Sequence, residues 1–179
     1  MCCQTGIGAT LVTMYRMSMP GFPRITSVDE DGFICLVAAG HYDGFVGTDW
    51  ELDELLTRFA EQMSRGALFV AYAGPDAAGG ELRIVAEGSS QRAEREAAGV
   101  IDAADGVWLT DYTQLTMGAQ FDDERPETDD PDSRLSVPAG RYRILLREFA
   151  SDDGPVFELV VSPAGVDDTV AHAEVPWFE

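Results

Sequence analysis

RLSVPAGRYRILLREF, residues 134–149, is the stretch whose reading decides the fold. Along its second half Tyr142, Ile144 and Leu146 fall on one face of an extended chain, and Arg141, Arg143, Leu145 and Arg147 fall on the other. A strand with one apolar and one charged face suits a sheet packed on one side and wet on the other, as antiparallel sheets are. Pro138 presets one turn dihedral and Gly140 tolerates a positive φ, so the whole stretch predicts strand, tight turn, strand.

The same pattern of short strands and brief turns extends in both directions. VFELVV at 156–161 gives a strand after the turn SDDGP, and GVWLTDYTQLTMGA at 106–119 supplies one or two more. SSQRAEREAA at 89–98 reads as a short helix or a polar crossing. ALFVAYA at 67–73 and ELRIVA at 81–86, parted by GPDAAGG, predict a hairpin, and FICLVAA at 33–39 predicts a buried strand.

One helix stands out. From Asp49 to Arg65 the residues Leu52, Leu55, Leu56, Phe59 and Met63 recur at helical spacing, with Trp50 and Ala60 beside the stripe. Thr48 followed by Glu51 forms a capping box, Gly66 provides the stop, and Asp49, Glu51, Asp53 and Glu54 favour the positive end of the helix dipole. The expected fold class is α+β: a mainly antiparallel sheet or sandwich with one amphipathic helix at about residues 49–65. With 179 residues, 45% of them apolar, we expect a single domain over residues 22–179, a flexible segment at 1–21, and an acidic loop inserted at 120–134.

Charge is the strongest functional signal. The chain has 32 acidic residues against 12 basic ones, a net charge of −20, and every basic residue is arginine. That balance argues against nucleic acid and anionic membranes as partners and favours a basic protein. Spread evenly, the excess charges would sit about 20 Å apart on a protein of this size, beyond a screening length of about 8 Å. They are not spread evenly: Asp122, Asp123, Glu124, Glu127, Asp129, Asp130 and Asp132 share one short loop with Arg125. A tight complex also needs aromatic anchors, for which Trp108, Tyr112 and Phe121 are nearest in sequence, although ordinary core packing is the commoner reason for such residues.

The chemistry of catalysis or metal binding finds little purchase. Two histidines, His41 and His172, and the cysteines Cys2, Cys3 and Cys35 carry no zinc spacing, and the odd cysteine count does not suit a disulfide framework. Cys35, His41 and Asp43 form a conceivable nucleophile set, but a cysteine inside an apolar strand is ordinarily an inert thiol. The pair Gly6 and Gly8 lacks the third glycine of a dinucleotide loop. The acidic loop offers oxygen ligands for calcium without the spacing of an EF-hand. No metal or cofactor is therefore expected. No run of roughly 20 apolar residues is present and no secretion signal stands out, so a cytoplasmic location is expected.

The order of a helix with Trp50 and Phe59, then GALFVAYAG, a polar crossing, WLTDYTQLTM, LSVPAGRYRILLREF and FELVV resembles the competence protein J family, inhibitors of the bacterial DNA-entry nuclease. It is similar also to small bacterial immunity proteins. VPAGRYRILL at 137–146 is the most distinctive piece, and the likeness spans residues 48–162. The resemblance implies a non-enzymatic antitoxin-like inhibitor that occludes a nuclease or toxin. It transfers no inhibitory residue to a position here. Other readings stay open: a small enzyme or ligand-binding domain with a pocket between the sheet and the helix, or a soluble housekeeping domain from a salt-adapted or GC-rich host.

Overall fold

The computed structural model describes residues 21–152, 154–165 and 167–178. All of the expected N-terminal segment but Gly21, including Cys2, Cys3, Gly6 and Gly8, lies outside the described residues. The fold is α+β. Eight strands are β1 (Arg24–Ser27), β2 (Phe33–Val37), β3 (Leu68–Tyr72), β4 (Glu81–Val85), β5 (Arg95–Asp102), β6 (Trp108–Thr110), β7 (Arg141–Phe149) and β8 (Val156–Pro163). Two helices join them, α1 (Leu52–Ser64) and α2 (Tyr112–Gln120).

The strands form a five-stranded sheet in the order β1-β4-β8-β7-β5 and a three-stranded sheet in the order β3-β2-β6. Every pairing is antiparallel except β4 with β8. Alternation along β7 sends Tyr142, Ile144 and Leu146 into the core, where Ile144 lies opposite Gly99 and Val161, and Leu146 opposite Ala97 and Leu159. Leu82 and Ile84 of β4 face the same way. This face meets the three-stranded sheet where β5 approaches Phe69 of β3: a Cβ added at Gly99 would stand 2.6 Å from Phe69 Cδ2. Glycine is what lets the two sheets close to that distance.

The continuous apolar run of β2 follows from burial on both faces, and all five of its residues are buried. On one side Leu36 pairs with Phe69; on the other, Phe33 stacks on Tyr112 of α2 with ring centroids 4.4 Å apart. Asp29 fixes α2 there. Its two oxygens accept separately from the backbone N–H groups of Phe33, at 2.5 Å, and Tyr112, at 2.9 Å. Burial raises the Asp29 carboxyl above its ordinary value despite those bonds.

Several expectations need correction. The main helix begins at Leu52 behind Glu51, whose N–H donates to Glu54 Oε2 at 2.9 Å, rather than behind Thr48. Thr48 is occupied elsewhere: Val46 and Gly47 donate to the Ala119 carbonyl, and Gln120 Nε2 donates to the Thr48 carbonyl, which ties that loop to the end of α2. Leu52 consequently lies outside the buried stripe and is exposed. Gly66 does end the helix, with φ +76° and its N–H on the Met63 carbonyl.

Residues 67–73 and 81–86 are strands but not a hairpin. Gly74 and Gly79, both at positive φ, flank a single 3-10 turn (Pro75–Ala77) that carries the chain from one sheet to the other. The stretch 106–119 is one strand and a second helix, not two strands. Asp111 accepts the Gln114 N–H at 2.7 Å and caps α2. Of 89–98, the part from Arg95 onward is strand and the rest crosses over the outer face of the large sheet. Residues 134–140 make only an isolated bridge, Arg134 to Trp108, so the acidic stretch runs between α2 and β7 rather than between two strands.

Candidate functional site

The acidic loop is held in place by its backbone. Pro126 is buried, Trp108 Nε1 donates to the Thr128 carbonyl at 3.1 Å, and Glu127 N–H donates to Gln114 Oε1 at 2.6 Å. Leu109 N–H reaches the Ser133 carbonyl at 2.8 Å, and Leu135 N–H the Val107 carbonyl at 2.9 Å, so the loop's far end follows the edge of β6. Arg24 donates to the Asp132 and Arg134 carbonyls. Arg125 donates to the carbonyls of Asp122 and Glu124.

Those arginine contacts go to carbonyls, and this bears on the local field. All seven side chains, Asp122, Asp123, Glu124, Glu127, Asp129, Asp130 and Asp132, are exposed. Among the described residues, none of them belongs to an ion pair within 4.0 Å. Arg134 lies over the Trp108 ring, 5.5 Å from its centroid. Three guanidinium groups on or beside the loop therefore dilute the negative patch without pairing off its carboxylates.

The aromatic trio divides. Trp108 is buried and bonded to the loop from within, and Tyr112 is stacked on Phe33, so both act as supports rather than contact surface. Phe121 is 38% exposed at the point where α2 gives way to the loop. Its N–H bonds the Met117 carbonyl at 2.9 Å, and Met117 is 41% exposed. Met117 was missed because the segment read as a strand; its spacing of four from Phe121 makes sense only on a helix.

The conceivable nucleophile set is not assembled. Cys35 is wholly enclosed in β2, and burial pushes its thiol well up, with Asp29 and Asp111 adding to the shift. His41 stands at the surface, its Nε2 3.8 Å from Asp105, while the Asp43 N–H binds Gln62 Oε1. Among the described residues no three His, Cys, Asp or Glu side chains converge to hold a metal ion, and no helix is long and apolar enough to cross a membrane.

Concavities lie in two relevant places. A hollow of about 310 Å³ beside α1 is lined by Val46, Asp53, Glu54, Thr57, Arg58 and Glu61, none of which lies on a strand. A larger cavity of about 540 Å³ opens at one end of the two sheets and contains Glu148. The inward alternation of β7 continues from Leu146 to Glu148, so a carboxylate takes a core-facing position at 9% exposure. Its Oε2 lies 3.2 Å from Arg95 Nε but receives no hydrogen bond.

Burial holds the Glu148 carboxyl above its ordinary value; Arg95 opposes the shift and Glu94 adds to it. A carboxyl that binds its proton more tightly folded than unfolded stabilises the fold most at low pH, and that contribution is lost as pH rises through the folded-state value. Glu148→Leu is therefore expected to raise stability by about 1 kcal/mol at neutral pH. The gain shrinks on acidification. Guanidinium unfolding of parent and variant at about pH 5 and about pH 8 measures the difference, in which the effect of Asp29 cancels. A loss of stability at the higher pH would show that Glu148 holds the fold together.

Comparison of the chain with family models, with curated proteins and with solved structures finds no match. The functional reading consequently rests on the sequence and on the geometry above.

Proposed function

We propose that this protein binds a partner with a basic surface through the loop at 120–134 and that the partner is a cationic enzyme, a nuclease or toxin, whose active surface the loop covers. The observation that carries the reading is a clamped backbone presenting seven unpaired, exposed carboxylates. A mobile acidic tail would lose conformational freedom on docking, whereas a backbone already pinned at Pro126, Glu127, Thr128 and Ser133 has little left to lose. Focused negative potential speeds encounter with a positive surface, and the exposed Met117 and Phe121 supply apolar contact that charge alone does not. The resemblance to nuclease inhibitors and immunity proteins points to the same class of partner.

Changing the seven acids to Asn and Gln leaves the clamping backbone bonds in place. Against a panel of basic nucleases in stopped flow, association is expected to slow about tenfold and its salt dependence to flatten. Phe121→Ala should act mainly on dissociation. Parental on-rates in the neutralised variant, with an unchanged circular dichroism spectrum, remove the loop from the mechanism.

A further inference from the structure

The chain after β8 returns across the molecule as a strap and is held at two places. At the first, Ser64 at the end of α1 and the His172 backbone bond each other in both directions: the His172 N–H donates to Ser64 Oγ at 2.9 Å, and that hydroxyl donates to the His172 carbonyl at 3.3 Å. At the second, the Tyr72 N–H donates to the Pro176 carbonyl and the Phe178 N–H to the Tyr72 carbonyl, both at 2.9 Å, so the strap adds a parallel bridge to the edge of β3. Val175 and Phe178 are buried, and Phe178 meets Phe157 of the large sheet edge-on with centroids 5.9 Å apart. The strap thus covers a sheet edge and closes the seam between the sheets.

The first fastening carries an imidazole turned inward. His172 Nε2 is sealed from solvent and has no hydrogen-bond partner. It lies where the two sheets meet: a Cβ added at Gly99 would stand 3.6 Å from His172 Nε2 and 2.6 Å from Phe69 Cδ2. The residues that α1, β5 and β3 place against it, Ser64, Gly99 and Phe69, are uncharged, and among the described residues His172 belongs to no ion pair. Glu61 and Arg65 around Ser64, Glu96 and Asp102 around Gly99, and Glu174 on the strap itself take no part in its titration; burial alone holds the imidazole pKa below its ordinary value. An imidazolium donates from both ring nitrogens, so protonation in place would set a charge and an unmet donor against Gly99 and the Phe69 ring. An open strap gives that donor to water.

We propose that the C-terminal strap is an acid-released latch: protonation of His172 expels its ring from the seam, undocks Phe178 and bares the edge of β3. The closed strap needs the neutral imidazole, so its hold is complete above the ordinary imidazole value and weakens as pH falls below it. Glu148 and Asp29 act in the opposite sense, since a carboxyl whose pKa is raised by burial favours the fold in acid. Loosening on acidification is therefore not theirs. The latch is independent of the acidic loop, and neither assignment needs the other.

Hydrogen exchange followed by NMR on the full chain at about pH 7.5 and about pH 5.5, with the His172 ring protons titrated alongside, tests the latch. Protection of the Tyr72 and Phe178 amides is expected to fall about three- to tenfold between the two, over the range in which the His172 ring titrates, while that of the β7 amides holds. His172→Gln, which cannot take the proton, should keep the strap closed at both pH values. Ser64→Ala loosens the clamp without touching the imidazole. It should lower protection at both pH values and keep the pH dependence, so the latch remains testable if glutamine does not seat in the seam. Protection unchanged with pH, a fall shared equally by β7, or a fall that persists in His172→Gln overturns it.

Discussion

Arg147→Met is expected to remove about 3–5 kcal/mol of stability, a fall in Tm on the order of 10 °C for a chain of this size. Arg147 lies on the outer face of β7 yet is only 9% exposed. Its Nε donates to Glu96 Oε1 at 2.9 Å and its Nη1 to Glu158 Oε1 at 2.7 Å. The same guanidinium reaches the carbonyls of Ser89, at 2.9 Å, and Gln91, at 2.6 Å, so it also fastens the crossing that precedes β5. Glu158, 7% exposed, completes the knot by accepting the Ser89 N–H at 3.1 and 3.2 Å. Methionine would fill much of the volume but strand a buried carboxylate and two carbonyls. Adding Glu158→Leu to Arg147→Met removes the stranded charge, and that double variant should recover most of the loss. Thermal and denaturant unfolding of the set decide it; a loss under about 1 kcal/mol for Arg147→Met alone would mean the knot is effectively solvated.

Phe69→Ala is expected to cost about 3–5 kcal/mol, the usual range for removing a wholly buried ring. The reason is local to the meeting of the two sheets. Gly99 leaves room for the Phe69 ring, so Gly99→Ala alone should overpack the site and cost about 1–3 kcal/mol. In a Phe69→Ala background the added methyl has space, and its cost should largely vanish. That coupling, measured as a double-mutant cycle in guanidinium, tests the contact itself. Additive losses would show that the strands are held apart by something other than this pair.

What could be read from the residues followed the strength of their periodicity. The alternation at Tyr142, Ile144 and Leu146 and the stripe at Leu55, Phe59 and Met63 correspond to buried faces because period two and period 3.6 are direct consequences of backbone geometry. α2 escaped notice because it is short and weakly amphipathic; its best signal, Asp111 three residues before Gln114, is a cap of the kind that precedes many turns as well. The expected hairpin failed because pairing partners are a global property: β4 finds β1 and β8, and nothing in GPDAAGG encodes that choice. The acidic loop was obvious in composition, but its clamping depends on Trp108 and Gln114 meeting Thr128 and Glu127 in space. Glu148 was hidden for a simpler reason. The apolar alternation ends at Leu146, and a carboxylate at the next core-facing position carries no apolar signal.

The parallel pairing of β4 with β8 has a consequence for synthesis. Leu82 lies beside Phe157 and Val85 beside Val160, so the strand that bridges β1 to the rest of the large sheet has no second neighbour until residues 156–163 have left the ribosome. Early-made segments must wait as an unfinished two-stranded ribbon, which is marginal in water, while the intervening chain is translated. Closing of the large sheet is thus governed by distant partners, and chaperone occupancy of the nascent chain should persist until β8 emerges.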